Sequence, residues 1–126
     1  MADKRIFISF AIEDAKYRDL LKGQSLHTRS PFSYVDLSAK RAWDNAWKTN
    51  CRTRIRGCDG VIALISKRTR NAGGAKWEMQ CANDEKIPMI GIHIDKNDKG
   101  EIPPQLSGKK VREWTDKAIA DFIDSL

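Results

Sequence analysis

The 126 residues are 40% hydrophobic and 32% charged, with four prolines and eight glycines, which suits one globular domain with a buried core rather than a disordered chain. No apolar run approaches the roughly 20 residues of a membrane span. Met1-Ala2-Asp3-Lys4-Arg5 leads straight into a strand pattern, so no signal peptide is expected and the expected location is the cytoplasm. The formal charge of +6 is compatible with nucleic acid, nucleotides or acidic partners and does not choose among them.

Arg5-Ile6-Phe7-Ile8-Ser9-Phe10 is a short apolar run, the pattern of a strand buried on both faces, and such strands belong to parallel sheets. Ile12 to Gln24 follows as a helix, with Tyr17, Leu20, Leu21 and Gln24 at helical spacing. Its acids Glu13 and Asp14 lie at the start and Lys22 near the end, the polarity a helix dipole favours. Ser30-Pro31 breaks the chain, and Phe32 to Asp36 alternates like a second, more exposed strand. Leu37 to Ala42 reads as a loop. From Trp43 onward, Trp47, Cys51, Ile55 and Cys58 form a narrow apolar seam, opposite a basic face of Lys48, Arg52, Arg54 and Arg56, and Gly57 is placed to end the helix.

Gly60 to Ser66 is the clearest buried strand of the chain. The polar loop Lys67 to Asn71 separates it from a helix expected over Gly74 to Glu85. Ile87 to Ile94 is another buried strand, with Pro88 tolerable only at its start. Asp95 to Gly108 reads as a surface loop. Val111, Trp114, Ala118, Ile119, Phe122 and Leu126 mark an amphipathic C-terminal helix, and a short fifth strand fits near Lys109 to Val111. The three cysteines include no CxxC pair and each lies in an apolar pattern, so small buried residues are expected rather than a zinc site. His27 and His93 have no partner spacing that suggests a metal or a triad.

Strands alternating with helices predict a three-layer α/β sandwich of flavodoxin-like type. Its parallel sheet has four to five strands in the order 2-1-3-4-5, formed by one domain over residues 1–126. Ligands of such sheets bind beyond the C-terminal strand ends, where the strand order reverses. That crevice lies between the first and third strands. The loops at Ser9-Phe10 and at Ser66-Lys67-Arg68-Thr69 open there, the second strand delivers Asp36, and the helix after Gly74 brings Trp77 and Glu78. Each residue also has a plainer role. Ser9 and Ser66 can cap the segments that follow them, Phe10 and Trp77 can be core, Glu78 can serve the helix dipole, and Asp36 can fold its loop back. The absence of a glycine-rich loop after the first strand argues against a Rossmann dehydrogenase or a P-loop enzyme. Ser9 and Ser66, where a phosphoacceptor receiver would carry acids, argue against that class too.

Arg5 to Phe10, Asp14 and Tyr17-Arg18-Asp19-Leu20-Leu21 together resemble the opening of TIR-like domains of the ThsB type from the bacterial Thoeris antiphage system. Ser30-Pro31-Phe32, Trp47, Arg54-Ile55-Arg56, Cys58-Asp59 with Val61 to Ile65, Thr69, Trp77-Glu78, Ala82 and Pro88 to Ile92 are similar in order and spacing. The resemblance spans roughly residues 4 to 95. It implies an enzyme that cleaves the nicotinamide–ribose bond of NAD and turns the ADP-ribose into a cyclic or conjugated signal that activates an effector protein. Glu78 matches the family's catalytic glutamate. NAD is then a substrate, and no cofactor is expected. On this reading Arg41, Lys67 or Arg68 would contact the pyrophosphate, Ser9 or Ser66 the ribose or phosphates, and Trp77 or Phe10 a ring. In many TIR enzymes the glutamate stands about one turn after the tryptophan, where this chain has Gln80 and Cys81; Glu78 instead adjoins Trp77, about 100° around the helix. The rival reading is a non-enzymatic interaction module that self-assembles, and nucleic-acid binding through the basic face of residues 48 to 56 is a third, less favoured one.

Overall fold

A computed structural model describes residues 4–24, 28–35, 45–97 and 99–126, the side chains of 45–47 excepted. Five strands form one parallel sheet: β1 (Lys4–Ser9), β2 (Phe32–Val35), β3 (Gly60–Ile65), β4 (Met89–His93) and β5 (Lys110–Glu113), in the order β2-β1-β3-β4-β5. The helices are α1 (Ala15–Gly23), α2 (Asn45–Arg56), α3 (Gly73–Asp84) and α4 (Asp116–Asp124). The expected order is therefore the observed one.

Alternation along the central strands builds two cores. Phe7, Val61, Ala63 and Ile65 point to one face and pack with Cys51 and Ile55 of α2 and Ala75, Met79 and Ala82 of α3. Ile6, Ile8, Ile62, Leu64, Ile90 and Ile92 point to the other and pack with Leu21 of α1 and Ile119 and Ile123 of α4. All six residues of β3 and all five of β4 are buried, which explains their continuous apolar runs. Each Ile, Leu or Phe withdrawn from water contributes about 1.5–3 kcal/mol before ordering costs. Gly91 sits where β4 is crowded from both sides: a Cβ there would lie 2.7 Å from Ile65 Cδ1 and 3.0 Å from Leu106 Cδ1.

Some boundaries differ from expectation. Residues 12–14 form a single 3₁₀ turn ahead of α1, because Asp14 is drawn into the interior instead of lying on a helix surface. Val111 lies in the edge strand β5, and the last helix begins only at Asp116, where Thr115 accepts the Ala118 N–H at 3.0 Å. Cys51, Cys58 and Cys81 are buried, and none is in a disulfide among the described residues. No helix among the described residues is long and apolar enough to cross a membrane, and among them no group of three His, Cys, Asp or Glu could hold a metal ion.

Candidate functional site

β1 ends on Ser9, whose side chain faces α3 because it follows Phe7 by two residues. Its hydroxyl lies 3.0 Å from Glu78 Oε1 and 3.1 Å from the carbonyl oxygen of Ala75. A hydroxyl has one hydrogen to donate, so these two acceptors compete for it. Ser9 is 1% exposed and Glu78 is fully buried. Glu78 is the sixth residue of α3, and the first turn of that helix carries no acid. Its carboxyl faces the end of β1 and does not serve as a cap.

The neighbouring strand ends in a second buried polar group, on the opposite side of the sheet. Ser66 Oγ donates to Asp14 Oδ2 at 2.5 Å, and Arg68 Nη1 reaches Asp14 Oδ1 at 2.9 Å. The Ser66 N–H donates to Thr69 Oγ1 at 2.9 Å, while the Thr69 N–H returns to the Ser66 carbonyl at 3.1 Å. Thr69 and Asp14 are fully buried. These bonds fix the loop that launches α3. Ser66 and Thr69, expected at a ligand, are thus engaged in holding that loop. Asp14 is the residue sequence reasoning missed: an acid just after a strand reads as a helix-dipole acid, and only its burial shows that it ties the rim together.

The remaining expected residues disperse. Phe10 is core on the α1 side, with the Arg18 guanidinium 5.0 Å from its ring centroid. Lys67 lines a cleft of about 110 Å³ with Tyr17, Ser66, Arg68, Ile94 and Asp95. Trp77 does not join Glu78. One residue earlier on α3, it turns to α2, where Lys48 Nζ lies 5.2 Å and the Arg52 guanidinium 5.3 Å from its ring centroid. Gln80 is exposed and donates to Asp84 Oδ1 at 2.9 Å, and Cys81 is buried. Hydrogen bonding with Cys51 holds the Cys81 thiol below its ordinary pKa, against the effect of burial. Neither position one turn after Trp77 therefore offers a carboxyl to the sheet. Asp36 and Arg41 lie outside the described residues.

The sheet resembles that of a crystal structure of a diflavin flavoprotein A3 from Nostoc sp., at 17% identity and a TM-score of 0.54, over 99% of this chain and 90% of that one. At that identity the likeness is of fold alone, and it supports the flavodoxin-like architecture. No curated protein matches by sequence. The sequence profile of the TIR-like domain of the Thoeris protein ThsB matches residues 7–99, from β1 through β4 into the loop beyond it. That span holds both carboxylates and both serines at the strand ends, and the chain belongs to the ThsB TIR-like domain family.

Proposed function

We propose that this domain cleaves NAD at the nicotinamide–ribose bond and converts the ADP-ribose into a cyclic or conjugated nucleotide signal in antiphage defence. The observation that carries this reading is the Glu78 carboxyl, held by Ser9 at the end of β1 beside the point where the strand order reverses. Departure of nicotinamide leaves an oxocarbenium-like ribose, and a fixed carboxylate stabilises that charge and holds the ribose hydroxyls. Nicotinamide leaves as a neutral base, so a general acid is not required and one carboxylate suffices. Complete burial of Glu78 means that the sugar must uncover it on entering, and a water-poor site strengthens the charge interaction.

The other residues divide into binding and positioning roles. Lys67, at its cleft on the rim, and Arg41 are the cations for the pyrophosphate. Asp14, Ser66 and Thr69 position the loop before α3, and so the helix that carries Glu78. The signal would act on an effector protein through solution.

One observation favours the alternative of a non-enzymatic interaction module: a fully buried carboxyl bonded to a strand end is also a clamp between α3 and β1. Incubating the purified protein with NAD and resolving products by mass spectrometry separates the two readings. Glu78→Gln is expected to keep the fold and to lower nicotinamide release at least about 100-fold. Release unchanged in that variant overturns the catalytic role of Glu78.

A further inference from the structure

The turn of Trp77 toward α2 gives the basic face an aromatic ring that the sequence had placed elsewhere. Lys48, Arg52 and Arg56 stand four residues apart on α2, so they form a row with steps of about 6 Å and a length of about 12 Å. With Thr49, Thr53 and Trp77 they line an open cleft of about 370 Å³, and among the described residues no acid lines it. Arg52 and Arg56 are paired at its edge with Asp84 at 3.3 Å and Glu85 at 2.8 Å, on or just after α3. These are solvent-exposed pairs of the kind that competing anions and salt displace readily.

We infer that this cleft binds the phosphodiester chain of a single-stranded nucleic acid. A row of three cations is too long for one phosphate and suits consecutive ones. Lys48 and Arg52 rest over the half-buried Trp77 ring, and once phosphates draw them off it the ring becomes a stacking surface, which an unpaired base can use and a duplex, with its base faces covered, cannot. Asp84 and Glu85 then act as internal competitors, holding Arg52 and Arg56 until phosphates replace them. The overall charge of +6 favours the encounter. Binding here does not depend on NAD cleavage, because Trp77 and Glu78 face different elements.

Fluorescence anisotropy with labelled 12-nucleotide oligothymidine and oligouridine tests this and distinguishes DNA from RNA as the source of the phosphates. Three phosphate contacts predict a salt slope of about −2, so affinity falls roughly 15- to 20-fold from about 50 mM to about 200 mM salt. The triple variant Lys48→Ala, Arg52→Ala, Arg56→Ala is expected to lose binding and most of the salt dependence. The pair Asp84→Asn, Glu85→Gln is expected to bind more tightly than the natural chain, a gain that damage to the fold would not produce. Absence of saturable binding at low salt, unchanged binding in the triple variant, or equal binding of a duplex or of polyglutamate would each overturn the inference.

Discussion

Replacing Ser9 with alanine tests the link on which the proposed site rests. Alanine keeps the backbone of β1 and fits the space of the hydroxyl, so the perturbation is loss of one donor shared by Glu78 Oε1 and the Ala75 carbonyl, at 3.0 and 3.1 Å. Both groups lie in a region closed to water, with Ser9 1% exposed and Glu78 fully buried. Removing one partner of a buried hydrogen bond costs about 1–3 kcal/mol. For 126 residues the unfolding entropy near 60 °C is about 0.26 kcal/mol/K, so each kcal/mol lowers Tm by about 4 °C and the expected drop is about 4–11 °C. Differential scanning calorimetry measures it. Glu78→Met supplies the second edge of a double-mutant cycle, since its side chain has similar length and no polar oxygen. The double variant should then cost at least about 0.5 kcal/mol less than the sum of the two singles, because the carboxyl oxygen that Ser9 served is removed together with its donor. A Ser9→Ala cost below about 0.5 kcal/mol, with additive singles, would refute the reasoning. Nicotinamide release from NAD should fall in Ser9→Ala as well, since the carboxyl loses the group that orients it.

Stability should decline in alkali. Burial pushes the Cys58 thiol up from its ordinary 9.0 to about 11, with Asp59 adding to the effect and Arg5 opposing it, and burial with Asp116 pushes the Tyr34 phenol up from 10.0. Both are neutral when protonated and the folded chain holds these protons more tightly. Their contribution is therefore whole below pH 9 and is lost for Cys58 between 9.0 and about 11, and for Tyr34 above 10.0. Cys81, held down by Cys51, works in the opposite sense, so the decisive reading is a comparison: urea midpoints should fall less between pH 8 and about 10.5 in Cys58→Ala than in the natural chain. An identical fall in both would contradict the assignment. Gly100→Ala should destabilise by more than about 2 kcal/mol, since φ is +76° and the new Cβ would stand 2.5 Å from the Ser66 carbonyl oxygen. Gly108, at φ +78° in open space, should lose only the roughly 1–2 kcal/mol of the left-handed backbone on the same change, and equal urea-melt losses at the two sites would argue against the close packing at Ser66.

The sheet was legible because β3 and β4 are buried on both faces, and few other elements produce uninterrupted apolar runs of five or six residues. The end of the chain was harder to read. In β5 only Val111 is even partly buried, so an edge strand left almost no period, and Val111 and Trp114 fell by chance into the helical spacing of α4. The better signal there was Thr115, a capping residue immediately before Asp116. Asp14 was hidden for a different reason. Its partners Ser66 and Arg68 are more than 50 positions away, and no local pattern distinguishes an acid that binds them from one that serves a helix dipole.

The adjacency of Trp77 and Glu78 is the feature whose meaning the structure changes most. The sequence already set the two about 100° apart on a helix, unable to share one face, while the topology brought both to the same rim; which neighbours each meets was open. On α3 they diverge by about 100°, and that rotation is enough to assign them to different neighbours. Glu78 is committed to Ser9 at the end of β1, while Trp77 is committed to Lys48 and Arg52 of α2. Shifting the glutamate to either position one turn after the tryptophan would not restore the arrangement. At 80 it would point outward, where Gln80 now meets Asp84, and at 81 it would enter the thiol contact between α2 and α3. Position 78 is thus where a carboxyl on this helix meets the end of β1. The same helix, seen from its other side, completes the basic cleft. The two proposals draw on separate faces of α3, and the failure of either test leaves the other standing.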